Sequence, residues 1–329
     1  IWLASIYGLL GVTALLGWLA ADNSVPVVFI AGTALVLAVP IMLGAMAGVM
    51  SERSGITNIA IEGQLLTGAF MAAVVSSITD SFTLGIIAAM FTASLMSMVL
   101  AVFAIKFLAQ QTIVGVVLNV LVIGITNFLY QQWLTEDGEN VNFPGTLDIV
   151  KIPFLSDIPV IGPVLFENRI TVFAALLIVP ALWFVLFKTK LGLRARAVGE
   201  HPLAADTVGI NVFRTRYVSV ILGGALAGLG GSFFTLGQVG AFGKEMTNGA
   251  GYIALAALIF GRWNPMYAAF AALLFGFALN LQYGLAIIGS SVPSEFLLML
   301  PYALTVVAVA GLVGKVTGPA AAGKAYIQS

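Results

Sequence analysis

The chain has 329 residues, of which 60% are hydrophobic and only 9% charged, with no net charge and no cysteine. Soluble domains carry roughly 25% charged residues, so this composition excludes a water-soluble protein and indicates that lipid forms part of the solvent. Zero net charge excludes a basic surface for nucleic acid, and the lack of cysteine excludes disulfides, thiolate metal sites and cysteine nucleophiles.

Ten apolar segments follow one another along the chain. A helix needs about 20 apolar residues to cross the bilayer core, and helices are expected because lipid offers no partner to unpaired backbone groups. The segments are 1–20, 27–50, 64–79, 84–107, 112–131, 170–187, 217–237, 250–262, 265–283 and 295–314. The eighth is too short to span alone and predicts a half-helix or a re-entrant segment. The sequence therefore predicts an all-α, polytopic membrane protein with about ten transmembrane helices, forming a single domain over residues 1–329.

Two long loops of opposite charge predict the orientation of the chain. The loop at about 132–169 is mainly acidic, whereas the loop at about 188–216 is mainly basic. Basic loops favour the cytoplasm, so loop 188–216 is predicted inside, loop 132–169 outside and both termini inside. Of the 14 lysines and arginines, three then lie outside, and the other eleven lie inside. The outside residues are Lys151, Arg169 and Lys244.

Two stretches interrupt the apolar pattern. Residues 51–63 are too apolar for a plain loop and too polar for a span, and they bring Asn58 and Glu62 to membrane depth. An ionisable group at that depth is costly and usually faces a cavity or a partner. Glu62 either lies along a solute path, pairs with Arg53, or caps neighbouring backbone. The second stretch, 237–251, lies on the opposite face in the predicted topology, as an inverted repeat would place it.

Amide side chains in the spans extend this candidate path. Asn119 and Asn280 lie within or near the ends of apolar segments. Such amides either join helices, contributing about 0.6 kcal/mol per interhelical bond, or line a pore for a neutral polar solute. The predicted path therefore consists of Asn58, Glu62, Asn119 and Asn280.

Enzyme signatures are missing from the sequence. The one histidine, His201, lies in the basic loop. The stretch from Gly318 to Lys324 imitates a phosphate-binding loop, but Ala325 follows where the loop requires Ser or Thr. No catalytic residue, metal site or cofactor is predicted, and any ATP hydrolysis is expected on another subunit.

Four stretches together resemble one family of membrane proteins. They are SERSGITNIAIEGQLLTGAF at 51–70, QQTIVGVVLNVLVIGITNFL at 110–129, LGLRARAVGEHPLAADTVGIN at 191–211 and GAGYIALAALIFGRWNP at 249–265. Their order and spacing resemble the permease subunits of bacterial ABC importers for nucleosides, within the broader group that serves simple sugars and branched-chain amino acids.

The resemblance implies a type II importer fold in the bacterial cytoplasmic (inner) membrane. It also implies a second permease subunit that is a different chain, two cytoplasmic ATPase subunits and an extracytoplasmic solute-binding lipoprotein. One stretch matches the motif that couples the permease to the ATPase, and its members here are Glu200, Leu203, Ala204, Ala205 and Gly209.

A short cytoplasmic helix is expected over about 198–210. The small Ala204 and Ala205 are expected to enter a cleft on the ATPase, with Pro202 in the first helical turn and Gly209 at the helix end. His201 and Pro202 depart from the family pattern, which leaves the fine contacts open.

Three alternative functions stay open from the sequence alone. An importer of the same type could carry a simple sugar, a flavin or an amino acid. An ion-coupled secondary transporter would need a buried charge in a mid-chain span, and Glu62 is the one candidate. A membrane-embedded enzyme would need clusters of metal-binding carboxylates, which the sequence lacks.

Overall fold

The computed structural model describes residues 27–135, 138–287, 299 and 317–327. The described chain is mostly helical. Its helices are α1 Val27–Glu52, α2 Ile61–Thr79, α3 Phe82–Ala101, α4 Gln111–Leu129, α5 Gly138–Val141, α6 Ile161–Leu165, α7 Ile170–Lys188, α8 Lys190–Glu200, α9 Pro202–Thr207, α10 Val212–Ser232, α11 Ala250–Phe260 and α12 Pro265–Ile287. Wider π-helical turns extend α3, α4 and α10 through Val102–Lys106, Tyr130–Leu134 and Phe233–Val239.

Six helical stretches in the described part are long and apolar enough to cross a membrane. They are Val28–Glu52, Ile61–Thr79, Phe82–Lys106, Gln111–Leu134, Ile170–Lys188 and Val212–Val239. These correspond to the second through seventh apolar segments of the sequence. The first and tenth predicted segments, 1–20 and 295–314, lie outside the described residues apart from Met299, as do both termini.

Helix α1 lies at the centre of the fold. It packs against α10, α11 and α12, and its stretch from Ala38 to Met50 is almost completely buried. Such burial on all sides of an apolar helix indicates that protein rather than lipid surrounds it. By contrast, α4 exposes apolar side chains such as Val117, Val120 and Phe128 along its length, which is typical of a helix facing lipid or another subunit.

The long loop predicted outside the membrane contains a small hairpin. Strand β1, Ile149–Lys151, pairs antiparallel with β2, Glu167–Arg169, and an ion pair joins Lys151 to Glu167 at 2.6 Å. Arg169 donates from Nε to the Leu147 carbonyl at 2.8 Å. The hairpin thereby holds the start of α7, and the all-α prediction misses these two strands.

Helix α11 is a half-helix, as its length predicts. Its 11 residues rise about 16 Å, roughly half the thickness of the bilayer core. Its C-terminal end adjoins the end of α1, because the Trp263 indole donates to Glu52. The N-terminal end of α11, at the far end of the helix from this contact, positions the candidate site.

Candidate functional site

The two interrupted stretches of the sequence meet at Glu62. Its Oε1 accepts hydrogen bonds from Thr247 Oγ1 at 2.7 Å and from the Gly249 backbone N–H at 2.9 Å. Its Oε2 accepts from the Gly251 N–H at 2.6 Å. These donors surround the first turn of α11, whose free N–H groups and dipole favour a negative charge. The buried Glu62 carboxylate therefore caps the half-helix, which is one of the alternatives that the sequence left open.

Two glycines make this close approach possible. A Cβ built on Gly251 would lie 2.4 Å from the Glu62 nitrogen, too near for any side chain. Gly249 has a φ of +80°, a left-handed conformation that other residues adopt only with strain. Because these two residues have no side chain, their backbone N–H groups can approach the Glu62 carboxylate to hydrogen-bonding distance.

Arg53 lies at the other end of α11 and is not the partner of Glu62. Its Nε donates to the Trp263 carbonyl at 2.8 Å and its Nη2 to the Arg262 carbonyl at 3.3 Å. The guanidinium also lies 5.6 Å from the centre of the Phe187 ring. Burial lowers the pKa of Arg53 below its ordinary value. Arg53 therefore holds the turn that follows the C-terminal end of α11, while Glu62 caps the amide end of the helix.

Asn119 joins α4 to the first interrupted stretch and to α11. Its Oδ1 accepts from the Gly63 N–H at 2.8 Å, and its Nδ2 donates to the Ile59 carbonyl at 2.9 Å. The same Nδ2 lies 3.2 Å from the Tyr252 hydroxyl. The amide satisfies backbone groups where α2 begins and fixes the hydroxyl of Tyr252 on α11.

Tyr252 is a candidate that sequence reasoning missed. It lies in the first turn of α11, and 46% of the residue is exposed. Its ring therefore offers an aromatic surface beside the buried Glu62 and Asn119. The signal in the sequence was an aromatic residue directly after the Gly249–Gly251 interruption.

Asn58 braces the chain between α1 and α2. It exchanges two hydrogen bonds with Gln64, at 3.1 and 3.2 Å, and its Oδ1 also accepts from the Ala60 N–H at 3.2 Å. Asn58 is completely buried. Asn119 bonds to the same short stretch of backbone, at Ile59 and Gly63, and Glu62 belongs to that stretch. The structure therefore brings three of the four predicted path residues together.

Asn280, the fourth predicted path residue, makes a different contact. Its Nδ2 on α12 donates to the Ile30 carbonyl of α1 at 2.8 Å. This is a bond between two helices, and it lies in the first turn of α1 rather than at the interrupted stretches.

The short helix predicted over 198–210 is present only in its central part, because residues 198–200 end α8 and His201 interrupts the helical backbone. Helix α9, Pro202–Thr207, starts with Pro202 at its first turn, and His201 Nδ1 accepts from the Ala204 N–H at 3.2 Å. After it, Gly209 turns the chain with a φ of +81°. Leu203 and Ala204 are exposed.

Ala205 does not face outward, contrary to the expectation that it enters a cleft on a partner. It is only 4% exposed and packs in a small apolar cluster with Val198, Val212 and Tyr326. Ala205 lies on the opposite side of α9 from the exposed Leu203, and that side packs against other parts of the same chain. Ala205 therefore anchors α9, and its small size suits that packing.

The segment Thr317–Ile327 ties α8 and α9 to the rest of the chain. The Ala321 N–H donates to the Gly199 carbonyl at 2.8 Å, and the Ala320 N–H to Glu200 Oε2 at 3.3 Å. The Tyr326 hydroxyl donates to Asp206 Oδ2 at 2.7 Å. Burial, together with this hydrogen bond, raises the pKa of Tyr326, so the hydroxyl keeps the proton that it donates.

Comparison with known proteins identifies the family. Residues 30–310 match the branched-chain amino acid transport system permease component family. The guanosine ABC transporter permease protein NupQ of Bacillus subtilis is 40% identical over 89% of this chain and 95% of its own length. The nucleoside ABC transporter permease protein NupC of Lactococcus lactis is 37% identical over 90% of this chain and 95% of its own.

A putative glucose ABC transporter permease of Haloferax volcanii is also similar, with 35% identity over 74% of this chain and 73% of its own. No solved structure matches the chain significantly. Within the described residues, no group of His, Cys, Asp and Glu could hold a metal ion. The chain therefore belongs to the branched-chain amino acid transport system permease family, as a multi-pass membrane permease subunit that works with other subunits and is not itself an enzyme.

Proposed function

We propose that the chain forms half of the translocation path of an ABC importer for nucleosides. The observation that carries the proposal is the similarity to guanosine and nucleoside permeases over nearly their whole length. The proposed assembly contains a second, different permease, two cytoplasmic ATPase subunits and an extracytoplasmic solute-binding lipoprotein. In this proposal the single domain has about ten transmembrane helices in a type II importer fold, in the bacterial inner membrane with both termini in the cytoplasm.

The proposed path passes the N-terminal end of α11. Interrupted helices place backbone and polar groups near the bilayer midplane, where transporters commonly bind solutes. Tyr252 supplies an exposed ring, and stacking between a base and an aromatic side chain is worth about 1–3 kcal/mol. Asn58, Glu62 and Asn119 contribute to the path by fixing the backbone around this ring.

Asn280 contributes to the path in a different way. Its bond to the Ile30 carbonyl supports the proposal, because it holds α12 against the first turn of α1. Asn280 thereby sets the spacing of helices that pack around α11.

The coupling proposal concerns α9 and its neighbours. Leu203 is 49% exposed and Val208 is 75% exposed, and apolar side chains on a short loop helix suit docking to another protein. Glu200, Ala204, Ala205 and Gly209 then shape the docking helix, with Ala205 as its inner anchor. The ATPase subunit is the partner in this proposal.

The contacts of Thr317–Ile327 offer a route from α9 to the path. At one end this segment bonds to Gly199 and Asp206. At the other end Gly318 packs so closely on the Trp263 ring that an added Cβ would lie 2.9 Å away. Trp263 directly follows α11, so a displacement of α9 would reach the opposite end of the half-helix at Tyr252.

A sugar is the second candidate solute, favoured by the similarity to the putative glucose permease. A sugar offers hydroxyl groups, whereas a nucleoside also offers a flat base for stacking. ATP-driven transport is common to both candidates.

Tyr252 variants test the nucleoside proposal. In the reconstituted importer, Tyr252→Leu should raise the KM for nucleoside uptake about tenfold, because it removes the stacking surface. Tyr252→Phe, which keeps the ring, should stay near the wild-type KM. Tyr267→Leu is a matched control, since Tyr267 is an exposed tyrosine on α12. An unchanged KM in Tyr252→Leu would contradict the proposed role.

A further inference from the structure

A cavity of about 410 Å³ lies between the start of α8 and the start of α10. Both helices contribute to its wall, together with the turn at Gly209. Leu191 and Arg194 of α8 line one side of the cavity. The other side is lined by Asn211, which directly precedes α10, and by three residues of that helix, Arg214, Thr215 and Val218. This cavity is separate from Glu62 and Tyr252 and from the outward face of α9.

The cavity is positively charged. Arg194 and Arg214 both line it, and no carboxylate does. Across the described part of the chain, neither arginine has an ion-pair partner within 4.0 Å. The acidic residues nearest in sequence bond elsewhere, Glu200 to the Ala320 N–H and Asp206 to the Tyr326 hydroxyl. The two guanidinium groups therefore suit an anionic ligand.

The cavity lies where the helices leave the membrane. The span of α7 ends at Lys188, two residues before α8 begins, and the span of α10 begins at Val212. Helix α8 exposes Leu191 and Leu193 beside its charged residues, a pattern typical of a helix that lies in the membrane interface.

An apolar track leads from the cavity along α10 into the span. Val218 lines the cavity itself, and Leu222 lies one turn further along the same helix. Both are exposed apolar side chains. Residues four apart lie on the same side of a helix, so the two form a continuous strip.

We propose that this cavity binds an anionic phospholipid. The lipid phosphate lies between Arg194 and Arg214, because the guanidinium fork matches phosphate oxygens, and one acyl chain lies along Val218 and Leu222. Basic pockets beside membrane helices bind such headgroups. Because the lipid contacts both α8 and α10, it holds together the two ends of the loop that carries α9.

Lipid retention tests this assignment directly. The assembled transporter is reconstituted in nanodiscs of phosphatidylcholine with a minor fraction of phosphatidylglycerol, and tightly bound lipid is measured by native mass spectrometry. Wild-type protein should retain phosphatidylglycerol in preference to phosphatidylcholine. The double variant Arg194→Gln with Arg214→Gln should retain about tenfold less.

The control removes two charges outside the cavity. Lys106→Gln with Lys188→Gln changes two exposed lysines and should leave retention unchanged. The double variant Arg194→Lys with Arg214→Lys keeps the positive charges but loses the forked guanidinium groups. Its retention of phosphatidylglycerol should lie between that of wild type and that of the glutamine variant. Equal retention in the wild-type and glutamine proteins, or no preference for the anionic lipid in wild type, would overturn the proposal.

Adding inorganic phosphate to the same measurement distinguishes a bound lipid from a bound soluble anion. Inorganic phosphate has the same charged group but no acyl chain to occupy the track of Val218 and Leu222. Phosphate should therefore leave the bound phosphatidylglycerol in place. Displacement of the lipid by phosphate would assign the cavity to a soluble anion and overturn the lipid assignment.

Discussion

Replacing Glu62 with glutamine removes one of the three hydrogen bonds that hold the start of α11. The remaining carbonyl oxygen can keep the bonds from Thr247 and the Gly249 N–H. The new amide NH₂ then points its hydrogens at the Gly251 N–H, which loses its acceptor. Losing a bond to a charged group costs about 1.5–3 kcal/mol, and losing the charge at a helix start costs about 0.3–1 kcal/mol. The expected destabilisation is therefore about 2–4 kcal/mol.

Thermal unfolding of the purified permease complex and nucleoside uptake should be measured on the same preparations. Glu62→Gln should lower both the unfolding midpoint and the uptake rate. Glu245→Gln is the matched control, because Glu245 is exposed and its side chain accepts one hydrogen bond, from Asn127 at 3.0 Å. It should change either quantity little. A wild-type unfolding midpoint in Glu62→Gln would refute the capping role, and lower uptake at that midpoint would indicate direct contact with the solute.

Three further substitutions examine other parts of the account. Asn119→Ala removes three hydrogen bonds at the interrupted stretches and should reduce uptake several-fold while the ATPase still copurifies; normal uptake would remove it from the path. Tyr326→Phe loses the bond to Asp206 and should raise ATP hydrolysed per solute imported, whereas an unchanged ratio would argue against Thr317–Ile327 as a coupling route. In this cysteine-free chain, an impermeant reagent on intact cells should label Asn140→Cys but not Glu200→Cys; the reverse pattern would overturn the proposed topology.

Local sequence patterns predicted much of the fold. Uninterrupted apolar runs locate the six described spans, because each run must be long enough to cross the bilayer. The short run at 250–262 predicts a half-helix, and Pro202 and Gly209 predict the short helix α9. Each of these features depends on residues close together in the chain.

Features that depend on distant residues were harder to predict. Glu62 and Gly251 are 189 positions apart, and the sequence placed their stretches on opposite faces of the membrane. They meet because the first turn of α11 packs beside the start of α2, a contact that neither stretch determines by itself. The inward orientation of Ala205 likewise depends on Tyr326, which lies 121 positions further along and packs in the same cluster.

The most direct test of the account is ATP-driven transport by the complete importer. Proteoliposomes containing this chain with its partner permease, ATPase and binding protein should be supplied with labelled guanosine. The account predicts accumulation that requires ATP, persists when ion gradients are dissipated, and is inhibited by other nucleosides but not by glucose. Accumulation of glucose instead of guanosine, or guanosine uptake that follows an ion gradient without ATP, would contradict it.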